Sequence, residues 1–144
     1  MNRTAGIFVH EQVRALAALG HDVRVVSPKG WAPPLLPRWR AYREVPGVDA
    51  VGGVPVLYPR KLTLPGARLG HLNSDAMLRA VAGPLRRVYL RWPFHVIHAH
   101  MLVPDGWAAA RVGAALGVPA VATAHRADVL DVPARGPRSR ARVA

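Results

Sequence analysis

The chain has 144 residues, enough for one domain with a real core, and a hydrophobic share of 51% argues against general disorder. It has no cysteine, which removes disulfides, thiolate metal sites and cysteine nucleophiles and fits a cytoplasmic protein. No apolar run is long enough to span a bilayer, and the opening MNRTAGIFVHEQ reaches an acid too soon for a secretory leader. The formal charge of +12 favours anionic partners, yet only Lys29 and Lys61 are lysines and the arginines are spread along the chain. No nucleic-acid recognition module is legible. Acidic membrane surfaces, reached from the cytoplasmic side of the inner membrane, and phosphorylated ligands remain open as partners.

In chain order, Val9, Val13, Leu16, Ala17 and Leu19 have helical spacing, with Gly6 at the entry and Gly20 as a left-handed stop. DVRVVS reads as a strand with a β-branched core. A helix, a Gly-His turn and a strand make half of a βαβ unit. Its first strand is expected before Gly6, where only five residues stand, so the start reads as clipped. Residues 28–53 read as a Pro- and Trp-rich loop, with Trp31 and Trp39 covering the edge of the core. Val54 to Tyr58 reads as a short strand bounded by prolines.

Asn73 or Ser74 is expected to cap a helix that begins near Asp75 and turns Ala76, Met77, Ala80 and Val81 inward. Gly83-Pro84 is expected to break or kink it before LRRVYLRW continues. HVIHA reads as a strand. Asp105 is expected to cap the alanine-rich helix GWAAARVGAALG, which Gly117 stops, and VPAVATAH follows as a second buried strand. Residues 129–144 read as a basic tail.

Two apolar strands joined by one helix form a parallel crossover. The alternation along the chain predicts one α/β domain, 1–144, built on an open, doubly wound parallel sheet of Rossmann-like type. In such sheets ligands bind beyond the carboxyl ends of the strands. His98 and His100 close one strand, Thr123 and His125 close the next, and Asp128 lies three residues on. Gly6 opens a helix at the same edge, with His10 and Glu11 in its first turn.

Of the three histidines in PFHVIHAH, His95 reads as an edge residue, while His98 and His100 point to one face. His21 reads as a turn-packing residue. A His-x-His pair is compatible with zinc, so a metallohydrolase is one alternative. It would need further ligands, and only Asp105 and Asp128 are near. Neither GxGxxG nor GxxxxGK[ST] is present, but a glycine before a helix lets a diphosphate approach free N–H groups. A non-catalytic binding module for anionic lipid or glycan is the other alternative.

Three stretches, GIFVHEQ…LAALGHDVRVV, HVIHAH…PDG and VPAVATAH with Asp128, together resemble the N-terminal, acceptor-side domain of family 4 retaining glycosyltransferases over residues 6–130. The resemblance implies half of a two-domain GT-B architecture, with the nucleotide-binding domain beyond this chain, so that the chain alone is inactive. It implies sugar transfer from a nucleotide-sugar donor to an acceptor hydroxyl with retention, no cofactor and no metal. By position it assigns His125 to the reacting sugar and Gly6 to the donor phosphates. It places His100, Thr123 and Asp128 along the cleft; His98 and Arg126 are read beside them by position, and His10 either reaches a ligand there or caps its helix. Arg126 stands where the family pattern has glycine, and there it could crowd the cleft or clamp a phosphate.

Overall fold

The protein is represented by a computed structural model, which describes residues 6–31, 44–62, 70–131 and 137–141. Helix α1 spans Ile7–Ala18. It ends where Gly20, at φ +86°, can take the left-handed conformation. The Gly20 N–H then reaches the Ala17 carbonyl and the His21 N–H reaches that of Leu16, the two bonds of a Schellman motif. No residue of α1 is buried.

The strand expected over DVRVVS is shorter than its pattern: β1 is Val25–Val26 and β2 is Lys29–Gly30. β1 pairs in parallel with β4, Val54–Leu57, and β2 with β5, Arg60–Lys61. Val25 faces Val56 and Lys29 faces Arg60, so both pairs keep one register. The interruption has a chemical cause. Ser27 and Lys29 donate to the carbonyls of Leu57 and Pro59. In a parallel ladder the residue after position 58 should donate in return, but it is Pro59, which has no N–H.

Residues 28–53 are not one loop. Val48–Val51 forms β3, antiparallel to β4. Gly52 and Gly53 join them with φ +59° and +82°, as a two-residue turn with both central residues left-handed requires. Glycine meets that demand at no steric cost, so the signal stood in the chain as Gly-Gly between valines. Trp31 is exposed rather than laid over the core, and Trp39 lies outside the described residues.

Helix α2, Gly70–Arg91, also departs from expectation. Asn73 and Ser74 lie inside it, not at its cap, and it runs through Pro84. Core contacts hold it on both sides of the proline, through Val81 and Ala82 before and Leu85 after. Tertiary packing here outweighs the missing hydrogen bond.

Strand β6, Ile97–His100, leads through a wide turn, Leu102–Gly106, into α3, Trp107–Leu116. Asp105 does not cap α3; the cap position is Gly106, with no side-chain bond. Gly117 stops α3 at φ +70°, and β7, Ala120–Thr123, pairs in parallel with β6. Helix α4 is Arg126–Leu130 and α5 is Pro137–Arg140, so the expected tail is helical in part.

The architecture is mixed α/β, with parallel strands in all three hydrogen-bonded groups: β1-β4-β3, β2-β5 and β6-β7. The ladder of the first two groups runs on in one register, and among the described residues no strand pairing joins β6–β7 to them. The core packs Met77 and Val81 of α2 against Ala108 and Val112 of α3, flanked by Val26 and Ile97.

Gly113 sets how closely α3 approaches the strand that follows it. A Cβ there would stand 2.5 Å from the Val118 carbonyl oxygen and 3.4 Å from the Ala120 Cβ. Gly113→Ala is therefore expected to cost about 1–3 kcal/mol by overpacking, read as a lower denaturation midpoint. An unchanged midpoint would show that α3 is free to shift outward.

Candidate functional site

The pairing of β6 with β7 builds the site. His98 faces Val121 and His100 faces Thr123 across the ladder, so all four project from one face of the pair. Ala99, on the other face, is buried beside α3. The face that carries the histidines stays open: His98, Val121 and Thr123 are all exposed.

On that face the rings form a row. His98 and His100 stack at 4.8 Å between centroids, and His125 lies 6.0 Å beyond His100. His98 Nε2 and Thr123 Oγ1 are 2.7 Å apart, within hydrogen-bond distance. His100 Nδ1 is buried without a hydrogen-bond partner among the described residues.

The row ends on a braced corner. Asp128 is fully buried. Its Oδ2 accepts the His125 N–H at 2.9 Å, and its own N–H returns to the His125 carbonyl at the same distance. Its Oδ1 accepts a longer bond, 3.4 Å, from the Val103 N–H. One carboxylate thus ties the start of α4 to the turn after β6. Met101, just past His100, has φ +84° and ψ 141°, a conformation that side-chain-bearing residues rarely adopt. Such strain is held by surrounding structure and gathers at functional edges.

His98, His100, Thr123, His125 and Asp128 therefore meet at one rim. Gly6 opens α1 at φ +88°, and exposed His10 lies 3.8 Å from Glu11. No hydrogen bond or ring contact links either to the histidine row among the described residues. The Arg126 guanidinium is 78% exposed and lies 3.9 Å from Asp131, so it points along its own helix rather than across the row. No group of three or more His, Cys, Asp or Glu side chains among the described residues is placed to hold a metal. Among the described residues the His-x-His pair is thus not joined by the further ligands a zinc site needs.

Two groups carry unusual electrostatics. Burial, then the neighbouring charges of His98 and His125, hold His100 below its ordinary 6.5. Desolvation pushes the Asp105 carboxyl up to about 6, with the Asp128 charge adding to the rise and Lys61 opposing it. Sequence reasoning read Asp105 as a helix cap and so missed it as a desolvated acid beside the rim. Its position just before Gly106, at a strand-to-helix turn, was the available signal.

The chain matches the family described as "Glycosyl transferase 4-like domain" over residues 3–144, and it belongs to that family. It is similar to a protein of Bacillus subtilis (strain 168) named "Putative teichuronic acid biosynthesis glycosyltransferase TuaC", 31% identical over 128 residues. That alignment covers 86% of this chain and 32% of the relative, so the chain spans about a third of the length of the curated protein it matches. No solved structure gives a significant match.

The two shifted groups predict opposite pH effects. His100 binds protons less well folded than unfolded, so its contribution is complete above 6.5 and is lost as pH falls through its folded value. The melting temperature should fall on acidification below pH 6.5, and His100→Asn should flatten that fall. If the variant keeps the wild-type slope, His100 is not the responsible group. Asp105 binds protons better folded, so it destabilises the protein above about pH 6. Asp105→Asn should then raise stability at pH 7.5 by about 2 kcal/mol and have little effect near pH 4. Equal effects at both pH values would contradict the desolvation of this carboxyl.

Proposed function

We propose that this chain forms the acceptor-side part of a retaining, nucleotide-sugar-dependent glycosyltransferase of GT-B architecture. The observation that carries the reading is the convergence of His98, His100, Thr123 and His125 on one strand edge, with Asp128 bracing His125. Family membership supplies the reaction class, and the rim supplies the chemistry.

In a retaining transfer the acceptor hydroxyl attacks on the side from which the leaving diphosphate departs. Holding both in line is chiefly a positioning task. His125 faces the reacting sugar and donates or accepts a hydrogen bond at a ring hydroxyl. Asp128 fixes the backbone from which that ring projects. The His98 and Thr123 pair lines the acceptor side of the cleft. His100, held mostly neutral at pH 7 by burial, adds a hydrogen-bonding ring without a fixed charge. The leaving diphosphate is met by helix N–H groups, among which the Gly6 turn at the start of α1 is a candidate.

Donor contacts in this class of enzyme come from a second domain, so turnover is expected where residues 1–144 act together with one. No cofactor or metal is required in this reading. The acceptor is a glycan, a lipid-linked sugar or a small molecule, and the similarity to a protein named for teichuronic acid biosynthesis favours an anionic cell-envelope glycan. No helix among the described residues is long and apolar enough to cross a membrane. Peripheral association with an acidic inner-membrane surface, in a cytoplasmic enzyme, is consistent with a charge of +12.

Purified protein expressed with its full reading frame should turn over a nucleotide sugar in the presence of a cell-envelope acceptor. His125→Ala should lower kcat roughly 10²- to 10³-fold, the scale of losing one transition-state contact, with donor KM little changed. Absence of both binding and cleavage for a panel of nucleotide sugars would overturn the proposal.

A further inference from the structure

A second polar site stands apart from the histidine rim. An open cavity of about 310 Å³ lies between α2 and the β4 end, and Arg24, Arg87 and Arg91 line it together with Tyr58. Arg24 precedes β1, and Arg91 is followed by Trp92 and the segment that enters β6. Leu57, Tyr58 and Pro59 add the carboxyl end of β4, and no lining residue belongs to β6, β7 or the histidine row.

The arginines are held but not neutralised. Arg24 stacks over the Trp92 ring at 4.4 Å, and Trp92 Nε1 donates to Asp22 Oδ2 at 2.6 Å, which fixes the indole beneath the guanidinium. Among the described residues, neither Arg87 nor Arg91 has an ion-pair or hydrogen-bond partner. They lie one helical turn apart, a like-charge spacing that weakens an isolated helix. Arg79, Arg86 and the half-apolar stripe at Leu90 continue the same exposed face, and no acidic residue occurs from Ala76 to Pro104. Lys29 is not part of the lining, but its Nζ lies 5.2 Å from the ring centroid of Tyr58, which is.

Converging guanidiniums around a concave pocket match one ligand chemistry better than others. A phosphate group offers several acceptor oxygens and up to two negative charges, which planar forks engage in pairs. We propose that the Arg24–Arg87–Arg91 cavity is a binding site for a phosphate group, separate from the sugar-transfer rim. The group is carried either by a soluble phosphorylated compound or by a lipid headgroup. A lipid would in addition meet exposed Leu90, which is 67% accessible.

The test uses the full-length protein and two kinds of probe, soluble and vesicular. Calorimetric titration with glycerol 3-phosphate and inorganic phosphate reads the soluble source. Sedimentation with phosphatidylcholine vesicles, with and without phosphatidylglycerol, reads the lipid source. At least one probe should bind saturably, and Arg87→Gln with Arg91→Gln should weaken that binding about tenfold or more. Binding to glycerol 3-phosphate alone assigns a soluble ligand; binding only to vesicles that contain phosphatidylglycerol assigns the headgroup. A control removing the same charge elsewhere, Arg14→Gln with Arg140→Gln, should leave the affinity within about twofold. Arg24→Gln, which leaves α2 untouched, should weaken the same probe and guards against misfolding of the double variant. Failure of both probes to bind, or equal weakening by the control pair, would overturn the site. Neither outcome bears on nucleotide-sugar turnover at the rim.

Discussion

The close approach of α3 to the strands around it governs where everything polar ends up. Gly113 lets the helix backbone come within a distance of Val118 that no side chain would tolerate. Gly106, at the start of the same helix, has Ala122 and the Met101 carbonyl 3.1 Å from where its Cβ would be. With two glycines in contact, α3 lies flat behind the β6–β7 pair and fills the core side with Ala108, Ala109 and Val112. The opposite face is left to the histidines. Small residues on the helix are thus the reason His98, His100 and Thr123 can share an open rim rather than be folded into the core.

The rim is stabilised by one charge and kept adaptable by the lack of others. Asp128 is fully buried, which is costly for a carboxylate unless hydrogen bonds replace water. Two backbone N–H groups do so, from His125 and Val103, and both belong to segments that must meet for the rim to exist. Around this anchor the neighbours are tuned toward neutrality: burial disfavours charge on His100 and on Asp105 alike. Neutral hydrogen-bonding groups suit a sugar, which presents hydroxyls rather than charges. The arginine cavity beside α2 has the opposite character, with three guanidiniums in its wall. The two regions therefore suit chemically different ligands on one small domain.

Much of this was legible from residue order. The first helix, its Gly20 stop, the Gly117 stop and the β6–α3–β7 crossover follow from apolar spacing and glycine placement, which act over a few residues. So does the meeting of His98, Thr123, His125 and Asp128, because parallel pairing aligns the carboxyl ends of adjacent strands. Less legible were the features settled by distant partners. Pro84 reads locally as a helix breaker, yet α2 continues because the core grips it on both sides. Asp105 reads as a cap, yet the cap position of α3 falls on Gly106 and no side chain bonds there.

The sequence by itself determined the α/β class, the family and the set of residues able to form the rim, since these rest on local periodicity and on motifs read in order. Only the tertiary structure decided that Arg126 leans toward Asp131, and that Arg24 meets Arg87 and Arg91 of α2 on one cavity. Those outcomes depend on how elements far apart in the chain pack against each other. Packing sums many small contacts, and no short stretch of sequence encodes the result.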